Sequence, residues 1–113
     1  MKDLGKVGED LAQKYLEQKG YEVLERNYRY KKAEIDLIAQ IASKIIFVEV
    51  KARSGTAFGN PEDAVTPQKE ALIQLAAENY LFENGLDTEI RFDIIAILKI
   101  GNEYKIEHIE AAF

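Results

Sequence analysis

The chain has 113 residues, 47% hydrophobic and 31% charged, which are the size and composition of one globular domain and exclude a disordered chain. It has no cysteine, which excludes disulfides and thiolate metal sites. No apolar run approaches the ~20 residues of a membrane span. We therefore predict a single domain over residues 1–113 with no membrane segment, and we expect it in the cytoplasm.

The charge is distributed unevenly along the chain. The net charge is −5, which by itself disfavours nucleic acid as a partner. Residues 1–53, however, carry 11 Lys and Arg against 9 Asp and Glu, a net charge of +2, whereas residues 54–113 carry 4 against 11, a net charge of −7. This asymmetry favours an anionic partner for the N-terminal half.

Hydrophobic periodicity predicts seven elements in the order α-β-β-β-α-β-β. The first helix covers residues 3–18 and ends before Gly20; the second begins at Thr66-Pro67, a suitable N-cap and first turn, and ends at Asn84-Gly85. The predicted strands are 21–25, 33–39, 44–53, 90–100 and 104–109. Polar residues 26–32 are predicted as a turn, and residues 54–66 as an exposed loop. The expected fold is α/β, with helices packed on one mixed sheet.

Two neighbouring predicted strands carry carboxylates within apolar sequence. Glu49 and Lys51 are two residues apart, so both project from one face of their strand. Asp36 lies in the preceding strand, with Glu34 and Ile38 on its predicted face and Ile35 on the other. The intervening hairpin makes the two strands neighbours.

Two carboxylates beside an ammonium favour a site for a divalent cation such as Mg²⁺. Such a cation can activate water for phosphodiester hydrolysis, and a lysine can stabilise the developing charge. A different interpretation stays open, in which Glu49 and Lys51 are a solvated pair and Asp36 is an edge-strand charge.

These residues resemble a known motif. Glu34-Ile35-Asp36-Leu37-Ile38 and Phe47-Val48-Glu49-Val50-Lys51-Ala52-Arg53 resemble the PD-(D/E)xK motif of the restriction-endonuclease-like superfamily, with Ile35 in place of the proline. The element order resembles that superfamily's αβββαβ core. The resemblance is most specific to the YraN-type family of uncharacterised bacterial proteins, which is similar to Holliday-junction resolvases. It covers almost the whole chain, including Gly8-Glu9, Gly59-Asn60-Pro61, Arg91-Phe92-Asp93 and His108-Ile109.

The resemblance implies a nuclease-like domain with a mixed central sheet flanked by helices. It implies an endonuclease that uses Mg²⁺, or Mn²⁺, to hydrolyse DNA, including branched or damaged structures. Asp36 and Glu49 would be the metal ligands, Lys51 the catalytic lysine and Glu9 an additional catalytic carboxylate. Resolvases act as dimers on two-fold symmetric junctions, so a homodimer is a further expectation. The alternative is a catalytically silent module on the same fold that binds nucleic acid or protein.

Basic residues near these strands are candidate nucleic-acid contacts. The segment 26–32 interleaves cations, which suit phosphates, with two tyrosines, which can stack on unpaired bases; the alternative is a solvated turn whose tyrosines cover the core. Lys69 either contacts nucleic acid or pairs with a carboxylate of the site. His108, the single histidine, is interpreted as structural. The candidate nucleic-acid contacts are Arg26, Arg29, Lys31, Lys32, Arg53 and Lys69.

Overall fold

Two helices and five strands form in the computed structural model, which describes residues 4–55 and 65–113. The elements are α1 (Leu4–Gln18), β1 (Glu22–Tyr30), β2 (Ala33–Ile41), β3 (Lys44–Ser54), α2 (Pro67–Glu83), β4 (Glu89–Ile100) and β5 (Glu103–Ile109). Most of the predicted loop 54–66, with its Asn60-Pro61 pair, lies outside the described residues. None of the helices in the described ranges is long and apolar enough to cross a membrane.

The strands form one sheet in the order β1-β2-β3-β4-β5. β3 and β4 are parallel, with α2 between them in sequence, and the other neighbours are antiparallel. This mixed sheet with two helices confirms the predicted α/β class and is compatible with a restriction-endonuclease-like core. Both helices begin and end close to the predicted positions: Thr66 caps α2 by accepting a hydrogen bond from the Lys69 N–H, and Gly20 follows α1 with a φ of 93°.

Alternation along β3 creates two cores, one on each side of the sheet. Ile45 and Phe47 pack beneath α2, whereas Ile46 and Val48 pack beneath α1. Because side chains alternate along a strand, Glu49 lies on the same side as Phe47, as the sequence predicts, and this is the side that α2 covers.

The predicted turn at 26–32 is wrong for most of its length. β1 continues to Tyr30, and the turn consists of Lys31 and Lys32. Tyr28 explains the difference, because its ring is buried edge-on against Tyr80 of α2, and this tertiary contact favours a strand. The basic residues are tolerated because β1 is an edge strand whose outer side meets solvent.

The predicted alternation of β2 is also wrong in one respect. Ile35 packs in the same core as Ile38, although an odd number of positions, three, separates them along the strand, and Leu37 packs in the opposite core. The odd-numbered residues of β2 therefore face the α2 side of the sheet before Asp36 and the α1 side after it. The backbone is irregular at this level of the sheet: Asn27, which lies across from Asp36 in β1, has a left-handed φ of 54°. Local polarity alone does not reveal such a shift.

Candidate functional site

The candidate site lies where β2 and β3 separate. Their paired residues run from Ile41–Lys44 to Leu37–Val48. Beyond that point β2 remains paired with β1, and β3 remains paired with β4. Asp36 and Glu49 are the first residues beyond the last pair. The separation opens the sheet at the two predicted carboxylates, and we call this place the strand fork.

Asp36 is held across the strand fork by the backbone of β3. Its Oδ2 accepts a hydrogen bond of 2.8 Å from the Val50 N–H. Burial, followed by the negative charge of Glu49, raises the pKa of Asp36 to about 8, and a hydrogen bond between the two carboxyl groups acts in the same direction. Asp36 and Glu49 therefore lie close together, as the sequence predicts, and burial and the charge of Glu49 favour the protonated form of Asp36.

Glu49 is the more buried of the two carboxylates, with 6% of its surface exposed. Its Oε2 forms an ion pair with the Lys69 ammonium, which α2 brings to the sheet from its first turn. Of the two predicted roles of Lys69, pairing with a site carboxylate is the one observed. The carboxylates and Lys69 line a cavity of about 320 Å³. The other lining residues are Lys32, Ala33, Glu34, Leu72 and Ile73.

Lys51 lies beside this cavity rather than in its wall. Burial lowers the pKa of its ammonium, and the positive charges of Arg53 and Lys69 lower it further. Lys51 forms no ion pair within the described ranges 4–55 and 65–113. The negative charges of Glu49 and Asp36 offset part of this effect, and a further anion such as a phosphate would be attracted by the three cations.

Glu9, on α1, contacts β1 instead of the cavity. Its Oε1 accepts hydrogen bonds from Arg26 Nη2 at 3.3 Å and from Asn27 Nδ2 at 3.2 Å. Its charge makes a small contribution to the raised pKa of Asp36, so the two carboxylates are electrostatically connected. The structure therefore places Glu9 outside the cavity, on Arg26 and Asn27 of β1, where its charge still acts weakly on Asp36.

The remaining predicted basic residues divide into two groups. Arg26 is occupied, since its guanidinium also pairs with Asp10 at 2.7 Å. Arg29 pairs with Glu34 at 2.9 Å, but its side chain is 79% exposed and accessible to a partner. Three more cations lie along the rim between the β1–β2 turn and the end of β3: Lys31, Lys32 and Arg53.

The acidic side chains at the strand fork determine which kind of cation could bind there. No group of three or more His, Asp or Glu side chains within residues 4–55 and 65–113 is arranged to hold a metal ion. The strand fork instead supplies the carboxylates of Asp36 and Glu49 in one cavity. Mg²⁺ is commonly bound by one or two carboxylates and several waters, so this pair fits a water-rich Mg²⁺ site.

A second buried polar cluster lies beneath the C-terminal end of α1, and sequence analysis did not identify it. Asp93 is fully buried and accepts hydrogen bonds of 2.8 Å from Nε and Nη2 of Arg91, and its Oδ2 lies 2.7 Å from His108 Nε2. Burial alone raises the pKa of Asp93, but these bonds and one from the Ala111 N–H outweigh burial and lower it. His108 Nδ1 is 3.1 Å from Tyr15 Oη. The signal available in the sequence was the carboxylate of Asp93 within the apolar residues of β4, which indicates a buried charge that needs partners.

A five-stranded mixed sheet with a carboxylate pair at a strand fork defines an α/β protein with an acidic site bordered by cations. A family model described as "Uncharacterised protein family UPF0102" matches residues 8–97. The chain is 53% identical over 111 residues to a UPF0102 protein of Flavobacterium psychrophilum, covering 98% of this chain and 93% of that protein. It is 45% identical over 115 residues to a UPF0102 protein of Alkaliphilus oremlandii, covering 99% and 98%. The chain belongs to the UPF0102 family, which confirms the predicted membership of an uncharacterised family.

Proposed function

We propose that this protein is a Mg²⁺-dependent endonuclease of the PD-(D/E)xK superfamily that hydrolyses phosphodiester bonds of DNA. The observation that carries the proposal is the carboxylate pair at the strand fork, in which Glu49 is buried and its negative charge helps to raise the pKa of Asp36. Two carboxylates held close together away from bulk water are unfavourable without a compensating cation, and groups perturbed in this way are often found at functional sites. Mn²⁺ is the expected substitute for Mg²⁺.

Each residue of the site has a chemical role in this proposal. Asp36 and Glu49 would hold the cation, which when bound supplies a water of lowered pKa and polarises the phosphoryl oxygens. Lys51 positions the attacking oxygen and offsets the charge that develops on phosphorus. The new bond forms between that oxygen and phosphorus while the bond to the leaving sugar oxygen breaks. Glu9 lies outside the cavity and contributes a negative charge to the electrostatic environment of Asp36.

The ion pair between Lys69 and Glu49 suggests a role for Lys69. Its ammonium neutralises Glu49 in the metal-free protein. A divalent cation at the same carboxylate would take over that neutralisation, leaving Lys69 able to contact a phosphate at the cavity mouth. Three further cations at the rim, Lys31, Lys32 and Arg53, would contact the phosphate backbone.

Residues beside the cavity support a class of substrate. The cavity lies between the β1–β2 turn and α2, and Tyr30 on β1, partly buried against the core on the α2 side, has the Lys31 ammonium 5.3 Å from its ring centre. Cations with an aromatic ring suit a strand whose bases are partly unpaired. We therefore propose branched or damaged DNA as the preferred substrate.

One observation favours a second candidate function, a catalytically silent nucleic-acid-binding or protein-interaction module. The Glu49–Lys69 ion pair already satisfies the more buried carboxylate without a metal. In such a module Lys69 would remain on Glu49, and the cations of the rim would bind nucleic acid without cleavage.

Incubation with labelled branched, flapped and linear DNA separates the two functions. The endonuclease should cleave a branched substrate with Mg²⁺ or Mn²⁺ and not with EDTA. Glu49→Gln and Lys51→Ala should each reduce cleavage by about 10²-fold or more, since each removes a group that acts on the reacting phosphate.

The matched controls lie at the opposite end of β3 and on its neighbour β4. Lys44 and Glu89 form an exposed ion pair of 3.8 Å, so Lys44→Ala and Glu89→Gln should cleave normally. Cleavage that survives both site variants would rule out the assigned site. Salt-sensitive binding without cleavage by any variant would favour the silent module.

A further inference from the structure

The outer edge of β5 is not covered by another strand of the described sheet. β5 is the last strand of the sheet, and residues 103–107 are all exposed. α1 packs mainly on β1 and β3, and α2 packs on β1 and β2, so neither helix shields the central part of β5. An open edge presents unpaired backbone N–H and C=O groups, which can pair with another strand.

The opposite edge of the sheet is protected by irregularity, whereas β5 is regular. β1 contains a register shift between Val23 and Glu25 and a left-handed residue at Asn27. Such irregularities bend an edge strand and discourage pairing. β5, in contrast, pairs with β4 in an unbroken register from Ile94–Ile109 to Ile100–Glu103. The backbone groups along the outer edge of β5 are therefore regularly spaced and can pair with another strand.

We propose that the outer edge of β5 pairs antiparallel with β5 of a second copy of this chain, about a two-fold axis at Ile106. The charges of the strand select this partner. In this register Lys105 lies opposite Glu107 of the second copy, and by symmetry the same pair forms twice. Opposite charges facing each other across two strands stabilise the pairing. The apolar Ile106, 38% exposed, lies opposite its own copy at the centre.

Neighbouring registers are unfavourable for reasons of charge or length. An axis at Lys105 places two lysines opposite each other and also places Glu103 opposite Glu107. An axis at Glu107 places two glutamates opposite each other. Like charges directly across a pair of strands are destabilising. An axis at Tyr104 or His108 pairs just the last residues at one end of this seven-residue strand.

The proposed dimer has a consequence for the candidate sites. A two-fold axis perpendicular to the sheet keeps each side chain on its own face, so both strand forks open on the same side. Five strand spacings separate the two copies of β3, which corresponds to roughly 24 Å. The inference rests on β5 alone and holds whether or not the protein cleaves DNA.

The absence of native cysteine permits a direct test by cross-linking. In the proposed register the Cα atoms of Ile106 and its copy lie about 4.5–5.5 Å apart, within disulfide range. Ile106→Cys should form a disulfide-linked dimer under mild oxidation. Tyr104→Cys is the matched control, because Tyr104 is also 38% exposed but lies roughly 13 Å from its copy. Equal cross-linking of the two variants would overturn the proposal.

Charge reversal supplies an independent test in the absence of oxidation. Lys105→Glu or Glu107→Lys alone should raise the dimer dissociation constant about tenfold, measured by sedimentation equilibrium over a concentration series. The double variant K105E/E107K restores opposite charges and should return to within about threefold of the native value. A chain that is monomeric throughout the series, or a dimer that neither single reversal weakens, would overturn the proposal.

Discussion

The carboxylate of Asp36 accepts a hydrogen bond of 2.8 Å from the backbone N–H of Val50, across the point where β2 and β3 stop pairing. A buried backbone N–H needs a partner, and here a side chain supplies it in place of the neighbouring strand. The same contact fixes the Asp36 carboxylate beside Glu49. The opening of the sheet and the placement of the acidic pair therefore depend on one interaction.

We expect Asp36 to make the stability of the metal-free protein depend on pH. Its pKa is about 8 in the folded chain and near 3.8 when unfolded, so the folded state binds an extra proton between these values. This contribution is complete below pH 4 and is lost as pH rises through 8. The Asp36→Asn variant keeps an oxygen that can accept the hydrogen bond from the Val50 N–H, but it has no carboxyl group that can ionise.

The free energy of unfolding of the native protein, measured with urea and EDTA, should therefore fall relative to Asp36→Asn by about 1–3 kcal/mol between pH 5 and pH 9. Glu34→Gln, on the same strand and half-buried, serves as the control and should follow the native protein. Parallel curves for the native protein and Asp36→Asn would contradict the raised pKa.

Divalent cations should stabilise the folded protein, because they bind the carboxylate pair only in the folded state. A cation at about ten times its dissociation constant contributes roughly 1.4 kcal/mol, visible as a rise in Tm. The rise should be larger at pH 8.5 than at pH 6, since at the lower pH the cation must displace the proton of Asp36, whose pKa is about 8. Glu49→Gln should lose the effect and Glu89→Gln should keep it. An equal rise in both variants would indicate binding elsewhere.

Gly8 permits the close packing of α1 on β3 near the site. A Cβ atom at Gly8 would lie 2.9 Å from the Cβ of Ala52. Gly8→Ala should cost about 1–2 kcal/mol of unfolding free energy, because overpacking exceeds the gain in helix propensity. Ala52→Gly added to Gly8→Ala should recover most of that loss. Additive losses in the double variant would show that this contact is not the cause.

The Asp93 cluster should contribute strongly to stability. Asp93→Ala leaves the Arg91 guanidinium without its buried acceptor and removes the partner of His108. Breaking a buried charged pair typically costs about 3–5 kcal/mol. Urea unfolding should show this loss, whereas Asp87→Ala at an exposed position should stay within about 0.5 kcal/mol. A loss below about 1 kcal/mol for Asp93→Ala would mean that the cluster is not a stabilising element.

Patterns that act over a few residues were predictable from the sequence. The alternation around Phe47 predicted that Glu49 shares the face of Phe47, and Thr66 and Gly20 predicted the start of α2 and the end of α1. Backbone geometry determines these features locally: side chains alternate in strands, and helix ends need particular residues.

Tertiary structure decided the features that depend on partners distant in sequence. Tyr28 extends β1 because Tyr80 of α2 covers it, and Asp36 lies at a change of phase because β2 and β3 separate there. Lys69 reaches Glu49 because α2 crosses that side of the sheet. The sequence by itself determined which residues carry charge and which face most of them occupy. Only the folded chain decided which charges meet, because burial and proximity arise when separate elements pack together.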